Sequence, residues 1–237
     1  MLRYVVFSGT AFLIFYRWKR EKYIDRKIQE RFPDKAQMIR EAVNSVSSIV
    51  VFALTGVLVF WMNQHGWTKI YTRFADHSMA YFVLSVVAFI FLHDTYFYWM
   101  HRLMHWDKVY KYVHRTHHLS TNPTPWAAFA FHPLEAFVEV GILLIMVFLM
   151  PLHPLAILAW ILYMTLLNVM GHLGFELFPK GFTIHPIFGW HNTSVHHNMH
   201  HRLVKCNYGL YFNIWDRLMG TNHKHYHEEF DSVARKF

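Results

Sequence analysis

One stretch of the sequence decides the fold: AYFVLSVVAFIFLHDTYFYWM at residues 80–100, which HRLMH follows at once at residues 101–105. A helix needs about 20 predominantly apolar residues to cross the roughly 30 Å hydrocarbon core of a bilayer. The stretch therefore predicts a transmembrane helix that ends in two histidines one helical turn apart. Neutral imidazole is a good ligand for transition metals, so this pair is a candidate for part of a metal site.

Three further apolar stretches predict spans of the same kind: Val46–Met62, Leu134–Met150 and Leu152–Met170. The last two meet at Pro151-Leu-His-Pro154, whose prolines suit a tight turn, so they predict a helical hairpin. A shorter stretch, Tyr4–Tyr16, is either a short span or an interfacial anchor. The expected fold is therefore all-α, an integral membrane helical bundle of about four to five spans.

The composition agrees with a membrane protein. Of the 237 residues, 54% are hydrophobic and only 16% are charged, whereas an ordinary soluble domain is about 25% charged. The apolar content excludes intrinsic disorder. The single cysteine, Cys206, excludes a disulfide framework and any cysteine-rich zinc or iron–sulfur site. The unusual feature is the 20 histidines, in a chain whose formal charge is +8 with all of them neutral.

Basic residues in the short loops predict how the bundle is oriented. Nine lysines and arginines lie from Arg17 to Arg40, and such segments are retained on the cytoplasmic side. The segment Asn63–Met79 carries only Lys69 and Arg73 and fits the opposite face. The later spans then end in a histidine-rich helical cap on the cytoplasmic face. Acidic residues interleave the basic segment, so we expect attraction to anionic lipid and no nucleic acid partner.

The histidines form three clusters, HRLMH at 101–105, HRTHH at 114–118 and HNMHH at 197–201. In a helix, each spacing places its imidazoles on a single face. Eight imidazoles exceed the coordination sphere of one metal, so the clusters predict a dinuclear site, and the histidine that ends the hairpin is expected as a ninth ligand. The predicted ligands are His101, His105, His114, His117, His118, His172, His197, His200 and His201.

Two carboxylates accompany the clusters. Asp94 lies inside a predicted span, on the same helical face as His101, where an unpaired charge is costly. It is predicted to accept the second ring N–H of a ligating histidine, and the alternative is a polar pair with His93. Glu176 follows His172 by four residues, and its carboxylate would serve as an oxygen ligand or a bridge.

Other histidines have different expected roles. The sequence leaves open whether His191 and His196 ligate metal. His132, which precedes a proline and an apolar stretch, is expected to cap the start of a helix.

Six motifs follow one another along the chain: HDTYFYWMHRLMH at 93–105, HRTHH at 114–118, GH at 171–172, HNMHH at 197–201, NYG at 207–209 and WDRLMGT at 215–221. Together they resemble the fatty acid hydroxylase superfamily, which includes sterol desaturases, sterol methyl oxidases and lipid hydroxylases. The resemblance runs from roughly residue 87 to 221. Three residues separate the histidines of the first cluster, as in the sterol desaturase branch. The chain departs from the family pattern at Glu176, where relatives often carry a second histidine.

The resemblance implies an integral membrane enzyme that binds two iron ions, with zinc possible in a purified preparation. Such an enzyme uses O₂ and two electrons to hydroxylate or desaturate a C–H bond of a lipid, either sterol-like or fatty-acyl. The sequence contains no nucleotide, flavin or haem motif, so the electrons would come from an external donor, either cytochrome b5-like, ferredoxin-like or a reductase. The membrane would be a bacterial inner membrane or the endoplasmic reticulum.

This reading divides the chain into an N-terminal anchor and basic segment, residues 1–45, and a membrane-embedded catalytic domain, residues 46–237. Four aromatic residues are expected to line the path of the lipid, or else to serve in ordinary packing: Tyr98, Trp99, Trp126 and Phe129.

Two other classes of protein would also bind metal. A metal-dependent membrane hydrolase would need a general base, and no HExxH motif is present. A metal transport or storage protein would hold its ligands near the middle of the bilayer, whereas these histidines lie beyond the ends of the spans.

Overall fold

The computed structural model describes residues 1–235, so residues 236–237 at the end of the predicted catalytic domain lie outside the described residues. Within this range the chain is helical and forms no strand, which confirms the predicted all-α class. The α-helices are α1 Leu2–Phe12, α2 Arg20–Tyr23, α3 Lys35–Gln64, α4 Met79–Met104, α5 Asp107–Val113, α6 Arg115–His118, α7 Pro133–Leu149, α8 Pro154–Gly171, α9 Ser194–Leu203, α10 Ile214–Leu218 and α11 Tyr226–Val233.

Three helices, α3, α4 and α8, are long and apolar enough to cross a membrane. Helix α7 forms the fourth apolar helix that the sequence predicts, and its 17 residues give it a length of about 25 Å. Large apolar side chains such as Leu54, Leu84 and Phe137 are exposed on the outer faces of these helices, where a soluble protein would place charge. The chain is a multi-pass membrane protein.

The predicted hairpin is present and its turn is capped. Proline occupies the first turn of both α7 and α8, and the residues before these helices, His132 and His153, accept hydrogen bonds from the backbone N–H groups of Leu134 and Leu155. This confirms the capping role expected for His132. His153 has the same role, which the sequence analysis did not anticipate.

The N-terminal segment packs on the bundle rather than apart from it. Helix α1 continues as a π-helix over Leu13–Trp18, and Tyr4 donates a hydrogen bond to the carbonyl oxygen of Trp126. Helix α3 runs without a break across residue 45, where the sequence places a domain boundary. That division of the chain stays a prediction.

The packing brings the C-terminal ends of α4 and α8 to one end of the bundle. These two helices pack on each other through Phe89 and Trp160, whose stacked rings have centroids 4.2 Å apart. Helix α9 packs against the end of α8, and α11 covers α9 through Tyr226 and Phe230. The histidines carried by these helices are therefore gathered at one end of the apolar bundle.

Candidate metal centre

Four parts of the chain supply the predicted histidines. His101 lies in the last turn of α4 and His105 caps its end. His114 precedes the short helix α6, and the next two histidines are its last residues. His172 caps the end of α8. The remaining three histidines lie on α9.

The structure brings all nine histidines together and divides them into two groups. In each group, one nitrogen from every ring lies within 4.8 Å of the others. The five-histidine group consists of His101, His105, His114, His118 and His200, and the four-histidine group of His117, His172, His197 and His201.

Neighbouring histidines belong to different groups. His117 lies in the four-histidine group and His118 in the five-histidine group, and the pair His200 and His201 is divided in the same way. The two groups are adjacent, since the ring centroids of His118 and His201 are 5.0 Å apart. Each HxxHH motif therefore supplies rings to both groups. The sequence predicts that each motif lies on one helical face, and this prediction did not indicate the division.

Hydrogen bonds fix which ring nitrogens carry protons. Nδ1 of His101 lies 2.8 Å from the carbonyl oxygen of Tyr208, and Nδ1 of His200 lies 2.7 Å from that of Cys206. A carbonyl oxygen only accepts, so in both rings Nδ1 is the protonated nitrogen and Nε2 presents a lone pair. In the four-histidine group, Nδ1 of His172 donates to the carbonyl oxygen of Asn168 at 2.8 Å in the same way.

The spacing of the Nε2 atoms fits metal coordination. Imidazole nitrogens bind a metal at about 2.1 Å, so two ligands at a right angle would lie about 3.0 Å apart. The Nε2 atom of His118 lies 3.2 Å from that of His105, 3.1 Å from that of His114 and 3.0 Å from that of His200. In the four-histidine group, the corresponding contacts are 3.0 to 3.3 Å. Converging lone pairs at these distances repel one another unless a cation lies between them.

Burial keeps the rings in the form that binds metal. It lowers the pKa of His118 to about 3 and that of His172 to about 4. Burial, followed by the neighbouring histidines, lowers the pKa of His200 and His201 well below the ordinary value. The rings are therefore neutral at pH 7, and neutral imidazole is the metal-binding form.

A segment that follows α9 orients two of the rings. The carbonyls of Cys206 and Tyr208, which hold His200 and His101, belong to this segment. The carboxylate of Asp216 accepts hydrogen bonds from the backbone N–H groups of Tyr208 and Gly209 at 2.8 and 2.7 Å. The segment that contains the motifs NYG at 207–209 and WDRLMGT at 215–221 therefore orients the rings of His200 and His101 through hydrogen bonds to their outer nitrogens.

Glu135 makes the contact to a histidine that the sequence analysis assigned to Asp94. Its Oε1 atom lies 2.6 Å from Nδ1 of His114, and both side chains are buried. A carboxylate that accepts the outer N–H of a ligating histidine fixes the ring and raises its basicity. The available signal was a glutamate in the first turn of an otherwise apolar helix, α7.

Asp94 differs from its expectation. Its Oδ1 atom accepts hydrogen bonds from the backbone N–H groups of Tyr211 and Phe212 at 2.8 and 3.2 Å, not from a histidine ring. The alternative pairing with His93 is not formed either, since Nδ1 of His93 lies 2.8 Å from the hydroxyl of Tyr211. Asp94 therefore supports the segment that presents the Tyr208 carbonyl to His101.

Glu176 lies outside both histidine groups. One of its oxygens lies 3.0 Å from the backbone nitrogen of Phe178 and the other 3.1 Å from that of Val195, near the start of α9. The carboxylate stabilises the N-terminus of the helix that carries three histidines. His196 is buried with Nε2 3.6 Å from Asp216, and neither it nor His191 belongs to the two groups.

An apolar cavity inside the bundle lies next to the two histidine groups and is separated from them by two aromatic rings. Its volume is about 140 Å³, and Phe97 and Phe131 lie in its wall. The ring of Phe97 is 4.9 Å from that of His101, and the ring of Phe131 is 5.0 Å from that of His117. Of the four aromatics expected along the lipid path, Phe129 lines this cavity, whereas the other three are not among its lining residues.

Comparison with known proteins identifies the family. A family model described as fatty acid hydroxylase matches residues 86–221, and the chain belongs to this family. It is 34% identical to the lathosterol oxidase of Rattus norvegicus over 189 residues. This aligned region covers 79% of this chain and 62% of the rat protein. It is 31% identical to the Delta(7)-sterol 5(6)-desaturase of Eremothecium gossypii over 204 residues. This aligned region covers 85% of this chain and 56% of the relative. No solved structure matches the chain significantly.

Proposed function

We propose that the protein is a membrane oxidoreductase that binds two iron ions in the two histidine groups and oxidises a C–H bond of a lipid with O₂. The observation that carries this proposal is the convergence of nine buried imidazoles, several of which are held as neutral rings with lone pairs facing one another. Family membership supports the same chemistry. The chain spans 62% of the length of the rat relative, so activity, substrate and partners are part of the proposal.

The residues of the chain have separate tasks in this reaction. The five-histidine and four-histidine groups would each hold one metal, and bound iron would supply the oxidising power that an unactivated C–H bond requires. Glu135 and the Tyr208 carbonyl keep His114 and His101 in orientation. Phe97 and Phe131 present an apolar wall beside the histidines, which excludes water and positions a hydrocarbon.

The overall reaction sets the requirement for a partner. Hydroxylation consumes one O₂, two electrons and two protons and yields the alcohol and one water; desaturation consumes the same reactants and yields the double bond and two waters. The electrons would come from an external donor at the histidine end of the bundle, cytochrome b5-like, ferredoxin-like or a reductase. We place this end on the cytoplasmic face, because the basic segment from Arg17 to Arg40 favours that side.

The substrate we favour is a sterol-like lipid, since the relatives are named as oxidases and desaturases of sterols. The test is to reconstitute the purified, iron-loaded protein with a chemical reductant and lathosterol, and to measure O₂ consumption and products by mass spectrometry. We expect oxidation that depends on iron, and none with His114→Ala. Metal-dependent hydrolysis of an ester lipid without O₂ consumption would instead favour the hydrolase class.

A further inference from the structure

The apolar cavity bounded by Phe97 and Phe131 is lined by two polar groups for which the described residues show no hydrogen-bond partner, the carboxylate of Glu139 and Nε2 of His93. Glu139, on α7, is half-buried in its wall, and the described residues show no hydrogen bond to its carboxylate. His93, on α4, lies in the wall of the same cavity. Buried polar groups in proteins are nearly always paired, so each unpaired group requires an explanation.

The contacts of His93 establish that its free nitrogen is a donor. The indole nitrogen of Trp160 lies 3.1 Å from Nδ1 of His93, and the hydroxyl of Tyr211 lies 2.8 Å from the same atom. An indole N–H only donates, so Nδ1 accepts and the ring proton is on Nε2. The described residues show no hydrogen bond to that Nε2–H group.

Two other polar side chains line the cavity, Arg3 and Asn168. Asn168 donates a hydrogen bond of 2.6 Å to the carbonyl oxygen of Ala128. The guanidinium of Arg3 lies 5.7 Å from the centroid of the Phe129 ring, and the described residues show no ion pair between Arg3 and Glu139. Glu139 and the Nε2–H group of His93 are therefore an unmatched acceptor and an unmatched donor in a wall whose other polar side chains are Arg3 and Asn168.

The position of Glu139 relates this pair to the metal centre. Glu139 follows Glu135 by four residues on α7, which places it about 6 Å further along the same helical face. Glu135 contacts the ring of His114 in the five-histidine group. Glu139 thus lies one turn deeper in the bundle than a residue that touches the predicted ligands.

We infer that Glu139 and His93 bind a hydroxyl group of the lipid, with Glu139 accepting its proton in a hydrogen bond and His93 Nε2–H donating to its oxygen. A hydroxyl both donates and accepts, so it satisfies both groups, whereas a saturated hydrocarbon chain satisfies neither. The inference rests on the proposed function and deepens it, because it makes a lipid alcohol the preferred substrate class. Glu139 and His93 act here as specificity-determining residues in binding.

The test measures equilibrium binding of three probes to the purified full chain in lipid nanodiscs: lathosterol, its 3-methyl ether and its 3-deoxy analogue. The ether oxygen still accepts a hydrogen bond but has no proton to donate, and the deoxy analogue does neither. Leaving a buried hydrogen-bonding group unmatched typically weakens binding by about tenfold or more. We expect wild-type affinity to fall in the order alcohol, ether, deoxy analogue.

Variants assign each step of that order to a residue. Glu139→Met removes the acceptor at similar size, so the alcohol should lose its advantage over the ether. Glu139→Gln retains an acceptor oxygen and should retain most of the advantage. His93→Asn keeps an acceptor for Trp160 but removes the Nε2 donor, so it should weaken the alcohol and the ether together. Leu143→Met changes an apolar residue of the same wall and should leave the order unchanged.

Equal wild-type affinity for the three probes would overturn the inference, as would a Glu139→Met protein that keeps the full preference for the alcohol. If lathosterol does not bind, octadecanol and octadecane replace the sterol pair under the same criteria, and equal affinity overturns the inference. The proposed function fails separately, through the absence of iron-dependent lipid oxidation. Equal oxidation of alcohol and deoxy lipid would retain the proposed function and refute the role of Glu139 and His93.

Discussion

The two histidine groups differ in how many of their rings have a hydrogen-bond partner on the nitrogen that faces away from the group. In the five-histidine group, three rings have an outer nitrogen paired with protein: His101 with a carbonyl, His200 with a carbonyl and His114 with the carboxylate of Glu135. In the four-histidine group, the described residues show one such pair, between His172 and the Asn168 carbonyl. Because outer partners orient a ligand and raise its basicity, the five-histidine group should hold its metal more tightly.

The largest effect is expected from loss of a ligand. His118→Ala should remove an imidazole that approaches three others in the five-histidine group, and His172→Ala one that approaches three in the four-histidine group. Each variant should lose one metal per chain and more than about 100-fold in turnover, beyond the typical loss for an outer partner. Metal analysis and lipid oxidation in the same membranes check both quantities.

His65→Ala is the matched control, because its ring is exposed, belongs to neither histidine group, and lies against the carbonyl of Trp61 and neighbouring aromatic rings. It should retain both metals. His153 is a poor control, since it caps α8. A His118→Ala or His172→Ala protein with two metals and wild-type turnover would show that the histidine groups are not the metal centre.

Chelation should reveal the difference between the groups directly. Dialysis of the two-metal protein against a chelator should remove one metal faster than the other, the faster coming from the four-histidine group with its fewer outer partners. The time course of metal release, followed by absorbance or elemental analysis, checks this. His172→Ala should lack the fast phase, whereas loss of the slow phase in that variant would reverse the assignment.

Glu135→Gln should affect one group only. The amide keeps the size of the side chain but loses the charge that raises the basicity of His114, so we expect about 10–100-fold lower metal affinity or activity. The four-histidine group should retain its metal. The measurement is iron per chain over a titration of chelator, compared with Glu228→Gln, whose carboxylate is exposed and pairs with His225. Equal loss from both groups would indicate that Glu135 supports the fold as a whole.

Asp94→Asn should have the smallest effect of the set. Its carboxylate reaches the metal centre only through the backbone at Tyr211 and Phe212, and the amide oxygen of Asn can still accept one of these hydrogen bonds. We expect a folded protein with less than about tenfold lower activity, below the range for a direct outer partner. A loss larger than that of Glu135→Gln would place Asp94 in direct contact with a ligand during turnover.

The sequence predicted the apolar helices and the nine histidines that the structure gathers, because both signals are local; the role of these histidines as metal ligands stays a prediction. Apolar length identifies a span such as Met79–Met104, and the HxxxH and HxxHH spacings identify eight of the nine histidines without knowledge of the fold. The comparison with known proteins confirmed the family assignment. Sequence sufficed for this assignment because each family motif is a short continuous run of residues.

What the sequence could not provide depends on contacts between distant residues. The partner of His114 is Glu135, on another helix, whereas helical geometry alone favoured Asp94. The adjacent residues His117 and His118 belong to different groups because of where α8 and α9 pack against them. Local spacing in the sequence does not determine this packing. Glu176 follows His172 closely in sequence but turns to the start of α9.

The division of the histidine pairs also bears on the order in which the centre is built during synthesis. Residues 101–118 contain four of the five rings of one group but only His117 of the other. As the chain emerges from the ribosome, one binding site is thus nearly complete before α7 is made, while the second waits for His172 and α9. Metal insertion should accordingly be staged, and a ribosome stalled after residue 160 would hold a chain able to capture one ion but not two.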